Sequence, residues 1–421
     1  MRTSRHTLTA WRGEKQWPNV VSSAAGVKVR GARGERKAIS EKIESSWSKI
    51  RERMLERIDD TARRVTVGFP NFADPETGEW TTSPQGDWTG GHWVGELWLA
   101  RRVTGEERYG EWAGEWCEAL RPRAASNTIF RSFLFYYGAA LGDVLLDDHR
   151  ARDVALEGAR GLLGLYNPKA GLIPLGTEAE EASDVGNEEA SIDAVGSISA
   201  LFGWASEKTS DATFRDAALR HAERHIEFCV RNDASVCQSA SFDPETGEVV
   251  RRYSHKGYSE DSTWARAQAW GMLAYALSAR WMPEHEEFLE TAVRVADWWL
   301  EHVPEDRVAF WDFADPGIPD VERDTSATAI AAASLLKLAE LVQDDGLKSR
   351  YREAARETVR ALVGGYLTPT GPDDPRDPGI LTEGCYNKHN ELATKNELIW
   401  GDYYLFEALQ VLDSKVTARE I

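Results

Sequence analysis

The sequence predicts an all-α protein, an (α/α)6 barrel in which six helical hairpins close into a toroid. Three observations support this fold: apolar residues recur with helical period in about a dozen segments, convincing strands are few, and long polar loops separate alternate helices. The predicted helices cover residues 36–60, 92–103, 107–121, 128–145, 149–165, 189–206, 212–231, 262–281, 285–303, 325–343, 347–363 and 398–412.

The helices divide into two kinds. Small residues dominate Ala327–Ala333, as expected of an inner helix, whereas Glu41–Asp59 is charged on one side and is typical of an outer helix. An open α-solenoid is the alternative, but it would show a stricter repeat of fixed length. The toroid is therefore the predicted architecture.

Long loops rich in Gly, Pro and Asp follow every second helix, so we expect them to gather at one end of the toroid as a cleft. They cover residues 66–91, 166–188, 233–261, 304–324 and 364–397. Two of them contain the same six residues, Asp74–Glu79 and Asp243–Glu248, which predict tight hairpin turns. A calcium loop is the alternative, but the ligand spacing of an EF-hand is absent.

The composition restricts the class of protein. The net charge of −19 without a basic stripe argues against nucleic-acid binding, and no segment is long and apolar enough for a membrane. The four cysteines, at 117, 229, 237 and 385, are scattered and predict reduced thiols rather than disulfides or zinc. We expect no cofactor and no metal.

The first 35 residues are rich in Gly, Ser and Arg and lack an apolar signal-peptide segment. They predict a flexible or partly ordered lead-in, followed by a single catalytic domain over residues 36–421. The simplest expectation is a cytoplasmic protein, monomeric or homodimeric.

The chain has 17 tryptophans, too many for one site, so most must pack in the core. One pair of side chains stands out. Arg266 and Trp270 lie four residues apart on one helix face, after the polar loop that begins at His255. Together they could hold a carboxylate and a sugar ring. The alternatives are a core tryptophan with a surface arginine, and a structural arginine that clamps a neighbouring loop.

Histidines supply further candidates. His221 and His225 share a helix face, which indicates a solvated outer surface or, alternatively, two metal ligands without an evident third. His92, between Gly91 and Trp93 near a cleft loop, is a candidate substrate contact.

Several segments resemble the unsaturated glucuronyl hydrolases, glycoside hydrolase family 88. They are Gly90–Leu99, Ser191–Asp193, Phe242–Gly247, Gly257–Trp270, Trp311–Phe313, Asp324–Ala327 and Gly401–Tyr404, in the order of the family. The resemblance implies an (α/α)6 barrel that releases a 4,5-unsaturated uronic acid from the non-reducing end of lyase-generated oligosaccharides. An aspartic acid protonates the C4=C5 enol ether, water adds at C5, and the hemiketal opens.

The resemblance assigns roles to individual residues. Asp193 matches the general acid/base, although from sequence alone an aspartate that opens an apolar helix is also a helix cap. Arg266, Trp270 and Trp88 match substrate contacts, the last as the stacking tryptophan. A small oligosaccharide is the implied ligand.

Three of about seven expected cleft residues differ from the family. A second carboxylate in a His-Asp-x-Gly-Phe block falls on Phe130, Gln238 replaces a substrate-contacting His, and Lys256 replaces Gln after His255. Lys256 could meet a second anionic group such as a uronate or sulfate. Either Asp193 acts alone, another carboxylate substitutes, or the reaction has changed. The candidate substitutes are Asp87, Glu188, Glu189 and Asp261.

Two other functions stay open. Tyr258 with His255 could abstract a C5 proton in a polysaccharide lyase, with an arginine that neutralises the uronate. A non-catalytic sugar-binding descendant of the enzyme is the third possibility, suggested by the lost carboxylate.

Overall fold

The computed structural model describes residues 32–421, with side chains from Trp47 onward. Residues Ser45–Ile421 form a compact unit, which contains the helices and strands described below from Ser45 onward. Apart from the start of the first helix, the predicted lead-in over residues 1–35 lies outside the described residues, and its character and boundary stay predictions. Among the described residues, no helix is long and apolar enough to cross a membrane.

Outer and inner helices alternate along the chain. The outer helices are α1 (Ala32–Arg64), α3 (Glu107–Leu120), α5 (His149–Leu163), α7 (Ala212–Cys229), α9 (Glu286–His302) and α11 (Asp345–Gly365). The inner helices are α2 (Gly90–Thr104), α4, α6 (Val195–Thr209), α8 (Ala265–Trp281), α10 (Thr325–Leu341) and α12 (Ile399–Leu412). Helix α4 runs from Arg131 to Leu146 with a π-helical turn at Tyr136–Ala140.

The inner helices form a closed ring. Each contacts two inner neighbours, in the order α2, α4, α6, α8, α10, α12 and back to α2. This closure confirms the predicted (α/α)6 barrel and excludes an open solenoid. All twelve predicted helices are present, and most have their ends shifted by a few residues. The helix predicted from residue 189 begins only at Val195, after a strand at Glu189–Ser191 and a 3-10 turn at Ile192–Ala194.

Burial explains the two kinds of helix. Helix α10 is buried continuously from Thr325 to Ala339, so its run of alanines lets neighbouring inner helices approach closely. The one lysine in this stretch, Lys337, forms an ion pair of 2.7 Å with Glu407 of α12, since a charge at such depth needs a partner. Outer helices such as α9 bury one face only.

Short strands, which the sequence did not reveal, organise the loops. One sheet has the order β2–β1–β6, from Trp80–Ser83, Phe69–Ala73 and Glu397–Leu398, and the other has the order β3–β4–β5, from Glu189–Ser191, Ser239–Phe242 and Val249–Tyr253. Segments of two to five residues are too short to show an alternating pattern.

Both predicted hairpin turns are confirmed, between β1 and β2 and between β4 and β5. In each, the first aspartate accepts hydrogen bonds from backbone N–H groups two and three residues later. The aspartates therefore stabilise their own turns.

Gly158 of the outer helix α5 packs closely against the inner helix α4. A methyl group added there would overlap the Phe135 ring. We expect Gly158→Ala to destabilise the protein by roughly 1–3 kcal/mol in urea unfolding, because neither helix can yield without repacking.

Gly114 of α3 is the matched control, since its nearest non-local atom would lie 3.8 Å away, on Arg150. Gly114→Ala should stabilise by about 0.5–1 kcal/mol through helix propensity alone. Equal stability of the two variants would contradict the packing described.

Candidate active site

The candidate site lies where the inner helices begin. Trp88 precedes α2, Phe130 precedes α4, Asp193 precedes α6, and Arg266 and Trp270 lie in the first turns of α8. The inner helices all run in one direction, so their N-termini meet at the same end of the ring. Because a helix N-terminus carries a partial positive charge, this end favours anionic ligands.

An inner cavity of about 10 Å³ contains the main candidates. Its lining consists of Trp88, Phe130, Phe133, Glu181, Asp193, Lys256, Trp264, Arg266 and Trp270. This volume admits about one water molecule, so a sugar ring enters only after side chains move.

A larger outer cavity of about 330 Å³ adjoins the inner one. Trp88 and Phe130 line both, so they form the shared wall. The volume is within the usual range for small-ligand sites.

Asp193 is the buried carboxyl of the inner cavity. It lies in the 3-10 turn Ile192–Ala194 and caps no helix; its Oδ2 instead accepts a hydrogen bond of 3.2 Å from the Gln238 amide. Burial, and then the Glu181 carboxylate, raise the pKa of Asp193 to about 7, although the cations of Lys256 and Arg266 and the Gln238 bond oppose this. Such a carboxyl can donate and regain a proton near neutral pH.

Lys256 is held in the inner cavity by acidic neighbours. Its Nζ lies 2.6 Å from Glu181 Oε1 and 3.7 Å from Glu180 Oε1, and its backbone N–H donates to Gln238 Oε1 at 3.1 Å. Burial alone would lower the pKa of Lys256, but the two carboxylates raise it, so the side chain stays charged. Its ammonium is therefore already paired, and an anionic ligand could reach it only by displacing Glu181.

Arg266 lines the inner cavity, and it also clamps a neighbouring loop, which was one of the alternatives that the sequence left open. Its Nη1 donates to Asp324 Oδ2 and to the Cys385 carbonyl, each at 2.6 Å, and Nη2 donates to the Tyr386 carbonyl. Asp324 also caps α10. These bonds fix the loop 364–397 beside the cavity.

Trp88 and Trp270 form an aromatic frame, with ring centroids 6.5 Å apart. The Trp88 indole N–H donates to Glu180 Oε2 at 3.0 Å and to the Tyr386 hydroxyl at 3.1 Å. Asp87, just before it, has a φ of 38°, an unusual backbone conformation for a residue with a side chain. This turn directs the indole into the cleft.

His92 lies in the core and lines neither cavity. Its ring stacks on Tyr137 with centroids 4.8 Å apart, and burial lowers its pKa to about 3. The structure thus places this predicted substrate contact behind Trp88, at a centroid distance of 5.9 Å, where it packs rather than meets solvent.

His255 and Tyr258 line a third cavity of about 440 Å³, separate from Asp193. Burial, with the charge of Lys256, lowers the pKa of His255 to about 3, and its Nδ1 lies 3.2 Å from Ser239 Oγ. Tyr258 is 47% exposed. The pair that would serve a lyase is thus not next to the buried carboxyl.

The predicted solvated surface at His221 and His225 is wrong, since both rings are fully buried. His221 Nδ1 accepts a bond from the Ile173 N–H, and His225 Nδ1 bonds the His221 carbonyl. Within residues 47–421, the three-residue group with metal-ligand spacing, Glu223, His285 and Glu287, includes neither.

Glu181 is the second carboxylate of the inner cavity, and the sequence did not single it out. Of the four candidates, Asp87 lines the outer cavity, Glu188 and Asp261 are exposed, and Glu189 accepts a bond from the Tyr253 hydroxyl. The signal that could have revealed Glu181 is the acidic pair at 180–181 inside a predicted cleft loop.

A helical toroid with a buried carboxyl, two cations and tryptophans at one end defines a carbohydrate-processing enzyme of the (α/α)6-barrel class. Comparison with known proteins agrees. No family model matches the sequence. The unsaturated glucuronyl hydrolase of Bacillus sp. (strain GL1) is 36% identical over 354 residues, which cover 83% of this chain and 92% of that protein.

Two further similarities extend the comparison. The unsaturated chondroitin disaccharide hydrolase of Streptococcus pyogenes serotype M1 is 31% identical over 348 residues, 77% of this chain and 80% of that one. The crystal structure of the Bacillus sp. GL1 enzyme superposes with a TM-score of 0.80 at 33% identity and covers 87% of this chain and 96% of its own.

A variant of the Streptococcus agalactiae unsaturated glucuronyl hydrolase, complexed with dGlcA-GalNAc6S, has a TM-score of 0.72 at 26% identity, with 87% and 91% coverage. The chain belongs to the unsaturated glucuronyl hydrolases, glycoside hydrolase family 88.

The buried ion pair between Lys256 and Glu181 should contribute to the free energy of unfolding. Lys256→Met should cost about 3–5 kcal/mol in urea unfolding, because it leaves Glu181 buried without its partner. Lys256→Met/Glu181→Leu should recover most of the loss. The exposed pair Lys169–Glu245 is the control, and Lys169→Met should change stability by less than about 1 kcal/mol. A double variant as unstable as the single one would contradict this account.

Proposed function

We propose that this protein hydrolyses short oligosaccharides that end in a 4,5-unsaturated uronic acid at the non-reducing end, with Asp193 as general acid/base. The observation that carries the proposal is the buried Asp193 carboxyl, with a pKa of about 7, beside two cations and two tryptophans. Membership of the unsaturated glucuronyl hydrolases supports the reaction class.

The reaction needs one proton donor and one water. The Asp193 carboxyl gives its proton to C4 of the enol ether, which leaves an oxocarbenium-like centre at C5. Water adds there and returns a proton to the Asp193 carboxylate, so the group is regenerated. The hemiketal then opens and the neighbouring sugar leaves, with one water consumed in total.

Gln238 is a positioning residue for this chemistry. Its amide N–H holds Oδ2 of Asp193, while its Oε1 is held by the backbone N–H of Lys256. Because this orientation leaves Oδ1 without a partner among the described residues, that oxygen is available for proton transfer.

Substrate entry requires the Glu181 segment to move, since the inner cavity holds about one water. Glu181 is the carboxylate that pairs with Lys256 in the inner cavity. We infer that the uronate replaces Glu181 beside the Lys256 ammonium, while Arg266 keeps the opposite wall fixed. The displaced carboxylate also removes a repulsive charge from the site.

Trp88 and Trp270 supply the ring platform for the uronate. Phe130 adds an apolar wall where the family carries a carboxylate, so Asp193 acts without that second acid. The predicted cytoplasmic location and the monomeric or homodimeric state remain part of the proposal.

Asp193→Asn tests the catalytic role. The variant should lose about 10²- to 10⁴-fold in kcat on lyase-generated disaccharides, followed by loss of the unsaturated uronide absorbance, because no proton is available for C4. Asp261→Asn, at an exposed site away from the inner cavity, is the control and should retain native activity. Binding without turnover by the native protein would favour a sugar-binding descendant, and a rise in absorbance on intact polymer would indicate a lyase.

The pH profile follows from the raised pKa of Asp193. The protonated carboxyl is the active form, so kcat/KM should be level below about pH 7 and fall tenfold per pH unit above it. Glu181 helps to raise this pKa, so Glu181→Gln should move the fall to lower pH.

Glu188→Gln, exposed in the same loop, should leave the profile in place. If Glu181→Gln left the pH profile of kcat/KM unchanged, or moved its fall to higher pH, the fall would report the titration of a group other than Asp193.

A further inference from the structure

The outer cavity is placed to receive the sugar that adjoins the uronate. It shares the wall of Trp88 and Phe130 with the cavity of Asp193, and its 330 Å³ are enough for a sugar ring. Asn71, which lines it, has a buried amide oxygen without a partner among the described residues. The cavity therefore offers an unfilled polar contact next to the catalytic carboxyl.

One buried cation lines this cavity. Arg123 is 8% exposed, in the 3-10 turn Arg121–Ala125 after α3. Its Nε donates to Ser126 Oγ at 2.8 Å and its Nη1 to the Gln85 carbonyl at 3.2 Å. Among the described residues it forms no ion pair, and its Nη2 has no hydrogen-bond partner. A buried guanidinium without a carboxylate is uncommon in proteins.

The charge of Arg123 is not fully compensated by its neighbours. Burial lowers the pKa of Arg123, and the nearby carboxylates of Asp87 and Glu178, both exposed at the rim, only partly oppose the effect. An anion bound in the cavity would supply the missing partner. By contrast, Lys256, the cation that the sequence indicated for such a role, is already paired with Glu181.

Phe130 makes the same cavity more favourable for an anion. A carboxylate at this position would add to the repulsion from Asp87, Glu178 and Glu180, which also line the cavity, whereas the phenyl ring adds no charge. The ring also excludes water from the shared wall, and a drier wall strengthens the attraction between Arg123 and an anion. Phe130 in place of a carboxylate and the unpaired Arg123 thus both favour an anion in the outer cavity.

We propose that Arg123 is a specificity-determining residue that binds an acidic group, a sulfate or a carboxylate, on the sugar adjoining the unsaturated uronate. The proposal rests on the proposed hydrolase function. The planar guanidinium suits both oxyanions, since it can offer two parallel N–H donors to either.

Matched disaccharides test the proposal: an unsaturated uronyl N-acetylhexosamine, the same compound with a sulfate on the hexosamine, and an unsaturated uronyl unit linked to a second uronic acid. The native protein should show higher kcat/KM on at least one acidic compound. Arg123→Gln should lower that value roughly 10- to 100-fold, mainly through KM, and leave the neutral compound within about twofold.

Two variants control for folding and for general charge. Arg123→Lys keeps the positive charge but loses the two parallel N–H donors of the guanidinium. It should therefore retain part of the preference for the acidic disaccharide. Arg251→Gln removes an arginine from the third cavity and should leave the ratio of acidic to neutral kcat/KM unchanged. An unchanged ratio in both Arg123 variants, or a native preference for the neutral compound, overturns the proposal.

Binding separates this proposal from the hydrolase function. Calorimetric titration of Asp193→Asn and Asp193→Asn/Arg123→Gln with the same disaccharides needs no turnover. If native protein turns over none of them, but the single variant binds an acidic compound more tightly and the double variant loses that preference, the hydrolase proposal fails and the Arg123 site stands. If neither variant distinguishes the compounds, the Arg123 site fails whatever the activity.

Discussion

The closed ring of inner helices is the constraint on which the rest of the structure depends. Each inner helix is enclosed by two inner neighbours and an outer layer, so its middle turns are mostly small or apolar, and the buried charge of Lys337 is paired with Glu407. The inner and outer cavities lie at the helix ends, where loops can supply polar partners. This is why the catalytic candidates come from different hairpins yet meet at one end.

The proton affinity of Asp193 results from a balance at that end. Burial alone would favour the neutral acid strongly, while Lys256, Arg266 and the Gln238 amide favour the carboxylate. The pKa of about 7 is the net result of these opposing influences. The two cations therefore influence the proton affinity of Asp193 as well as line its cavity.

Phe130, where the family resemblance places a carboxylate, changes which acidic and basic residues lie near Asp193 while the barrel is kept. Without a carboxylate at that position, the second acid near Asp193 is Glu181, which lies in the connection between α5 and α6, just before the short helix Ala182–Val185, rather than at the start of an inner helix. The same substitution turns the wall of the outer cavity apolar and leaves Arg123 as the cation there without an ion-pair partner among the described residues.

The sequence by itself determined the helical toroid, because inner and outer helices differ in the burial that each residue pattern permits, and it brought Asp193, Trp88, Arg266 and Trp270 together through family motifs. It did not show that Arg266 clamps the loop at Cys385 and Tyr386, that His92 is a core residue, or that Lys256 is neutralised by Glu181. Those outcomes depend on contacts between residues far apart in the chain. Only the tertiary structure decides which charges are paired, since pairing is set by distance in space, and local patterns carry no information about it.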